Sequence, residues 1–351
     1  MKKQKIKAEL SRSSAQTKLM PLWYNTGTLI SCWLILGSAV FLLSGCSKQN
    51  KVLELEKQEL KADTIWSGQV LIKGDIYVPP GVTLTVAPGT VIRFKRIDET
   101  SDQNMFDVDS PYYPQAEIII RGRLIAKGTA EKKIVFTSAE MDARAADWGA
   151  LNFLGSDGNV VEHTKILCAY NGIHAHGSEV KVTHNEFVKN GVGISFKAEE
   201  ETQGVPWFGR RSKLVISDNL ITGNKGGIGF RNSDAEISHN EITNNKFFGV
   251  WPKENVNVLV TKNEISGNKK GVYLYQAKGV KFEYNNIYDN SDYNVAAAEA
   301  QDFPLDFSNN WFGSINRQKI DELIFDHADD PDLAVIKYEP FLTKSVDWES
   351  K

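Results

Sequence analysis

From Thr64 onward, apolar and polar residues alternate in short segments, and the segments recur. The clearest marker is Asn-x-(Ile/Phe)-x-x-Asn, found at Asn185/Asn190, Asn219/Asn224, Asn240/Asn245, Asn263/Asn268 and Asn285/Asn290. Successive first Asn residues lie 34, 21, 23 and 22 positions apart, a period of about 22 with one longer interval. Each copy repeats the same apolar positions. Val182, Ile216, Ile237, Val260 and Phe282 stand three residues before the first Asn, and Val180, Leu214, Ala235, Val258 and Val280 two before those. Phe187, Ile221, Ile242, Ile265 and Ile287 stand two after it. Past the second Asn come a Gly and a further pair, such as Ile194/Phe196 or Ile228/Phe230.

These are three period-2 segments per repeat, each with one buried face, and none shows the 3.6 spacing that a helical repeat needs. Three short strands in about 22 residues predict an all-β, single-stranded parallel β-helix, in which each coil sits roughly 4.8 Å above the last. The Asn residues are expected at the bends, taking left-handed backbone angles and stacking into amide ladders.

Looser repeats precede these. The stretch from Trp66 to Phe94 aligns with Ile118 to Phe153, with Gly74 against Gly122 and Ile92/Phe94 against Leu151/Phe153. With the closing Asn309-Asn310-Trp311-Phe312-Gly313 and Pro340-Phe341-Leu342, the region from about Thr64 to Leu342 resembles pectate-lyase-like right-handed β-helix proteins. That class includes carbohydrate-binding and sugar-hydrolase domains and the periplasmic copper-site maturation proteins of nitrous oxide reductase. The resemblance implies the fold, and one scaffold of this kind hosts lyases, hydrolases, epimerases and plain binders.

The amino terminus reads differently. Lysines at 2, 3, 5, 7 and 18 precede an apolar run from Leu29 to Leu43, too short to span a bilayer, which marks an export signal. Leu43-Ser44-Gly45-Cys46 resembles a lipoprotein cleavage box, so Cys46 is the expected lipidated first residue, and Ser47 rather than Asp after it favours an outer-membrane anchor. Cleavage leaves 306 residues and moves the formal charge from −3 to about −8, which argues against a nucleic-acid partner. Cys168 is then the lone free thiol, without an internal partner and expected inert in the core. The resulting division is a signal over 1–45, a charged tether over 46–63 and looser coils over 64–155 with an insertion at 97–115. Regular coils follow over 156–300 with an insertion at 198–211, then a cap over 301–351. A monomer is expected.

Function must sit on outward side chains. In the strand after the repeat Gly, one outward column reads Arg93, Asn152, His174, Ser195, Gly229, Trp251, Tyr273, and the next Lys95, Leu154, His176, Lys197, Arg231, Lys253, Tyr275. Cations, imidazoles and aromatics thus gather on one face of an acidic chain. The two insertions, one carrying Asp107, Asp109, Tyr112 and Tyr113 and the other Glu199, Glu200, Glu201 and Trp207, are expected to leave the same sheet edge and wall a groove. Rings stack on sugar faces and Arg or Lys pair with carboxylate or sulfate, so the expected ligand is an acidic polysaccharide or cell-envelope glycan, bound without catalysis. A hydrolase needs two convergent carboxylates, which neither column supplies. A uronate lyase or epimerase, using His, Tyr, Lys or Arg, is the alternative.

No cofactor is required, but metal is a further candidate. The two imidazoles of His174-Ala175-His176 share a strand face at a spacing wide for one ion. His184, Asp218 and His239 stand one residue before the repeat Asn and would stack on successive coils, a donor set suited to zinc or copper. A metallochaperone-like maturation factor is therefore a third reading, weakened by only two methionines, Met105 and Met141, in the processed chain.

Overall fold

The structure, a computed structural model, describes residues 51–98, 100–106, 115–298 and 300–347. The leader, Cys46, and the insertion residues Asp107, Asp109, Tyr112 and Tyr113 lie outside the described residues. Among the described residues no helix is long and apolar enough to cross a membrane.

The coil expected from the repeat is present. One turn comprises Val192–Lys197, Lys213–Ser217 and Leu220–Thr222, and the next Gly226–Arg231, Asp234–Ser238 and Glu241–Thr243. Like pairs with like in parallel: Ile194 with Ile228, Leu214 with Ala235, Ile221 with Ile242. We call the three faces the groove sheet, the middle sheet and the Asn sheet. The Asn sheet has ten strands, while the other two join into one eighteen-stranded sheet because Phe248–Thr261 and Lys270–Glu283 each run unbroken from one face into the next. The chain is an all-β right-handed parallel β-helix. Its interior is a continuous apolar column that includes, near the carboxyl end, Phe307 stacked on Phe282 at 4.6 Å and Ile320 of the short helix Arg317–Asp321.

The ladder Asn residues are buried at the corners. Nδ2 of Asn240 donates to Oδ1 of Asn263 at 2.9 Å, and Nδ2 of Asn263 to Oδ1 of Asn285 at 3.0 Å, with a second ladder through Asn245, Asn268 and Asn290. The left-handed angles, however, belong mostly to the residues just before them. His184, Asp218, His239, Lys262 and Tyr284 all have φ between 54° and 59°. Their strain is met by the amides behind them, since each ladder oxygen also accepts the backbone N–H of the Asn one coil below.

Two expectations for the amino-terminal part are corrected. Leu53–Leu55 pairs with Val70–Ile72, and Gln58–Glu59 with Ile76–Tyr77, so the segment read as a tether is a first coil from Leu53 onward. The alignment across the 97–115 insertion was also misplaced. Ile118–Ile120 pairs with Ile76–Val78 and with Leu151–Phe153, whereas Val91–Phe94 belongs to the Asn sheet between Gln69–Ile72 and Ile134–Ser138. Four-residue apolar strands resemble one another in every frame, and an insertion longer than a strand hides the frame.

Candidate functional site

The upper coils carry the expected columns. Asn152, His174, Ser195, Gly229 and Trp251 stack in register, as do Leu154, His176, Lys197, Arg231 and Lys253, with Tyr275 beside Lys253. Arg93 and Lys95 do not join them. Arg93 sits between Leu71 and Thr137 on the Asn sheet, and Lys95 follows at the end of the same strand; Ile119 takes the place below Asn152.

The insertions approach from opposite edges rather than one. Residues 97–115 lead into the groove sheet from the Asn sheet, and residues 198–211 leave the groove sheet for the middle one. They meet over its lower coils, where Trp207 packs with Ile119 and Leu154 near Met105 and Phe106, and the Arg121 guanidinium lies 3.6 Å from the Trp207 ring centroid. Trp207 is therefore a buried closure and not a sugar platform. It fits only because Gly155 lacks a Cβ, which would lie 2.5 Å from the indole.

Above this closure lies an open groove of about 680 Å³, bounded by Tyr170, Phe247 and Trp251 on its aromatic side and by Lys197, Arg231 and Lys253 on its basic side. The basic side is partly neutralised by the second insertion. Lys197 pairs with Glu201, and Arg231 lies 3.4 Å from Glu200, 3.9 Å from Glu201 and 3.9 Å from Glu254. Lys253 has no such carboxylate among the described residues. Its ammonium rests 3.6 Å over Trp251, and burial, with Arg231 and Lys197 adding to it, lowers its pKa. Trp251 Nε1 and Arg231 Nε are buried donors without an acceptor among the described residues. Tyr273 is half-buried against Trp251 and Phe247, at 5.4 and 5.6 Å, and Tyr275 is exposed beyond the groove.

His174 and His176 point outward from the strand but are buried, and a polar chain explains how. His176 Nδ1 meets Glu199 Oε2 at 3.1 Å, His174 Nδ1 meets Asn152 Oδ1 at 3.3 Å, and the two Nε2 atoms face each other at 3.0 Å. Both nitrogens of each ring are thus engaged, so neither histidine is an open contact for a glycan or a free base. Burial lowers both imidazole pKa values; it would raise that of Glu199, but His176 and the N–H groups of Thr202 and Glu201 outweigh it and hold that carboxyl at about 2.

The chain continues through Asn152 Nδ2, which donates to Glu117 Oε1 at 3.2 Å. Burial and the neighbouring Asp75, itself raised to about 6 by burial, push Glu117 well above the usual carboxyl range. A raised folded-state pKa means the native carboxyl keeps a proton that the unfolded chain releases near pH 4.5, so this group's contribution falls as pH rises past that value. Glu117→Gln should therefore stabilise the protein by on the order of 1 kcal/mol at pH 8 and by less at pH 4, measured as the difference in thermal midpoint at the two pH values.

The second candidate cluster is also rearranged. Every residue of the His184, Asp218, His239 column occupies the left-handed position before a ladder Asn, which throws its side chain outward into a recess of about 390 Å³. The donors that converge within 4.8 Å are Glu162, His163 and His184, with Asp218 and His239 on the coils above. His184 Nδ1 is buried without a hydrogen-bond partner among the described residues, and the imidazoles of His163 and His184 lie 4.8 Å apart. His163 was legible in principle, being 21 residues before His184, but Thr164 follows it where the repeat has Asn.

A parallel β-helix protein with an outward polar groove is the class that this fold and face define. Residues 137–323 match the family model described as "Periplasmic copper-binding protein (NosD)", and the chain belongs to that family. No curated protein matches it in sequence. Among solved structures, the periplasmic alginate epimerase AlgG is similar at 15% identity over 78% of this chain and 76% of that one, with a TM-score of 0.35. A mutant of the same enzyme gives 16% over 79% and 74%, at 0.34. Two imidazole groupings, His174/His176 and Glu162/His163/His184, have the donor chemistry that copper takes, whereas Cys168 is buried in the apolar core and Met141 is exposed on the surface.

Proposed function

We propose that the protein binds an acidic polysaccharide or cell-envelope glycan in the groove above Trp207, without transforming it, while a lipid on Cys46 holds it to the outer membrane. The observation that carries this reading is the pairing of Lys253 with Trp251. The site offers a cation with no carboxylate partner, lying across an aromatic ring beside two buried donors that have no acceptor, all among the described residues. A carboxylate or sulfate supplies the missing acceptors, and a sugar face covers the ring. Lyase or epimerase chemistry is less favoured, because the histidines bordering the groove have no ring nitrogen open to substrate.

Calorimetric titration with oligouronates and sulfated oligosaccharides at two ionic strengths tests this. Lys253→Ser should weaken binding about tenfold and flatten its salt dependence. Lys197→Ser should do less, since Lys197 already has Glu201. Trp251→Ala should weaken binding with the salt dependence kept, because stacking carries no net charge. Unchanged affinity in Lys253→Ser would place the site elsewhere, failure of the whole panel would remove the reading, and unsaturated products would replace it with a lyase.

A second reading, handling of metal for the maturation of another protein's site, is favoured by the family description and by the imidazole groupings.

A further inference from the structure

A second set of donors sits away from the groove, at the corner between the middle and Asn sheets. Glu162 closes the middle-sheet strand Asn159–Glu162, and His163 turns the chain into the Asn-sheet strand Thr164–Leu167. One coil up, His184 makes the same turn after Glu179–Thr183. Both histidines take left-handed backbone angles, with φ of 49° and 59°, and their rings stack on successive coils with centroids 4.8 Å apart. The backbone under them is clamped. His163 N–H donates to Thr183 O at 3.2 Å, its carbonyl accepts the Ile134 N–H at 3.1 Å, and His184 N–H donates to Ser217 O at 3.2 Å. Gly128 allows the close approach, since a Cβ there would lie 2.4 Å from His163 O.

Glu162, His163 and His184 thereby bring one carboxylate oxygen and two imidazole nitrogens within 4.8 Å of one another. His184 Nδ1 is buried without a hydrogen-bond partner among the described residues, which is costly unless something binds it. Burial lowers the His163 pKa, with His184 and Lys133 adding to the effect and Glu162 and Glu131 opposing it, so the ring is neutral and able to ligate at pH 7. The surroundings are acidic. Glu186, Asp218 and Glu241 line the adjoining recess, and Lys133, which also lines it, is paired with Glu186 at 2.6 Å.

We infer that Glu162, His163 and His184 hold a resident zinc(II) ion that clips two successive coils together. Two imidazoles and a carboxylate form a three-ligand zinc set, and side chains at an outward corner can close to the separation of about 3.3 Å that tetrahedral bonds of about 2.0 Å require. The two nitrogens disfavour calcium and magnesium, which take oxygen, and the set has no thiolate or thioether to select copper(I). Glu162 must release Lys127, 3.3 Å from its Oε2, and that lysine is mostly exposed. The position has a structural logic, because the first amide ladder stops here. Asn185 Oδ1 accepts both the backbone N–H and the hydroxyl of Thr164, and Thr164 lacks the side-chain amide that would carry the ladder further down. The ion takes over the coil-to-coil link at that point. The inference is independent of the glycan reading, since these residues lie off the groove, and it concerns an ion that stays rather than one passed on.

The test is titration of the purified full chain with zinc(II) against a chromophoric chelator, with X-ray absorption of the loaded protein and thermal unfolding with and without zinc. One ion per chain is expected, with nitrogen and oxygen donors at about 2.0–2.2 Å and no sulfur, and zinc should raise the thermal midpoint. His163→Asn and His184→Asn, chosen because Asn tolerates the left-handed angle, should each weaken binding about thirtyfold or more. Glu162→Gln should weaken it about tenfold. His239→Asn, at the same left-handed position two coils above His184, should leave it unchanged. Affinity should fall about tenfold or more between about pH 7.5 and about pH 5.5, as the imidazoles take up protons. Thermal midpoints of the zinc-free variants show whether each one folds. Absence of zinc binding by the unaltered chain overturns the site, as does binding that survives both histidine substitutions or that magnesium displaces. His163→Asn and His184→Asn should keep any copper(I) affinity the chain has, so failure of the zinc site leaves the metal-handling reading standing. Loss of copper(I) affinity in both variants would instead make this corner the metal-handling site and overturn the resident zinc.

Discussion

Ile265→Asp should lower stability by more than about 4 kcal/mol and leave little folded protein at ordinary growth temperature. Ile265 is fully buried and lies in the interior column between Ile242 and Ile287. The substitution removes a packed side chain worth about 2–5 kcal/mol and puts a carboxyl where no donor waits. In a solenoid each coil touches only its neighbours, so a broken central coil also uncouples the two halves. Glu236→Ala, on the exposed face one residue before buried Ile237, should change stability by no more than about 0.5 kcal/mol. Denaturant titration of both variants checks the pair; similar losses would mean that inward and outward faces are misassigned.

Breaking the amide ladder is the other large effect. Oδ1 of Asn263 accepts two bonds from the coil below, the backbone N–H and Nδ2 of Asn240, both at 2.9 Å, and its Nδ2 donates to Ile237 O and to Asn285 Oδ1. Asn263→Ala strands a backbone N–H, an amide hydrogen and a carbonyl in a corner that excludes water. At about 1–3 kcal/mol for each unmade bond, the loss should reach roughly 3–5 kcal/mol after partial relaxation. Asn263→Asp keeps the acceptor but turns an oxygen toward Ile237 O and Asn285 Oδ1, so it should not restore stability. Hydrogen exchange would show the defect directly, as lost protection at Asn240. A rescue by Asp would mean that only the accepting half of the ladder matters.

The lengthening of one repeat interval to 34 residues marked the insertion at 198–211, and the structure shows why an insertion is tolerated there. It leaves at a corner, after Lys197, and the helix resumes in register at Lys213, with Glu179 paired to Lys213 and Val180 to Leu214. Its buried acid, Glu199, is what holds His176 Nδ1. The acidic residues beside it shift the electrostatics of the face, because Glu200 and Glu201 neutralise cations that would otherwise form an open row.

By itself the sequence determined the coil: its period, the inward residues of all three strands, the amide ladders and the vertical order from Asn152 to Lys253. Those follow from local alternation and from a repeat that places equivalent residues one coil apart, so a single period suffices to derive them. Only the tertiary structure decided what an outward position meets. Arg93 and Lys95 left the groove because register across a long insertion depends on strand pairing and not on composition. Trp207 became a closure because two insertions from opposite edges cover the same lower coils. His174 and His176, outward by alternation, are buried because Glu199 and Asn152 reach them from a loop and from another coil, contacts between residues 23 and 22 positions apart that no local pattern encodes.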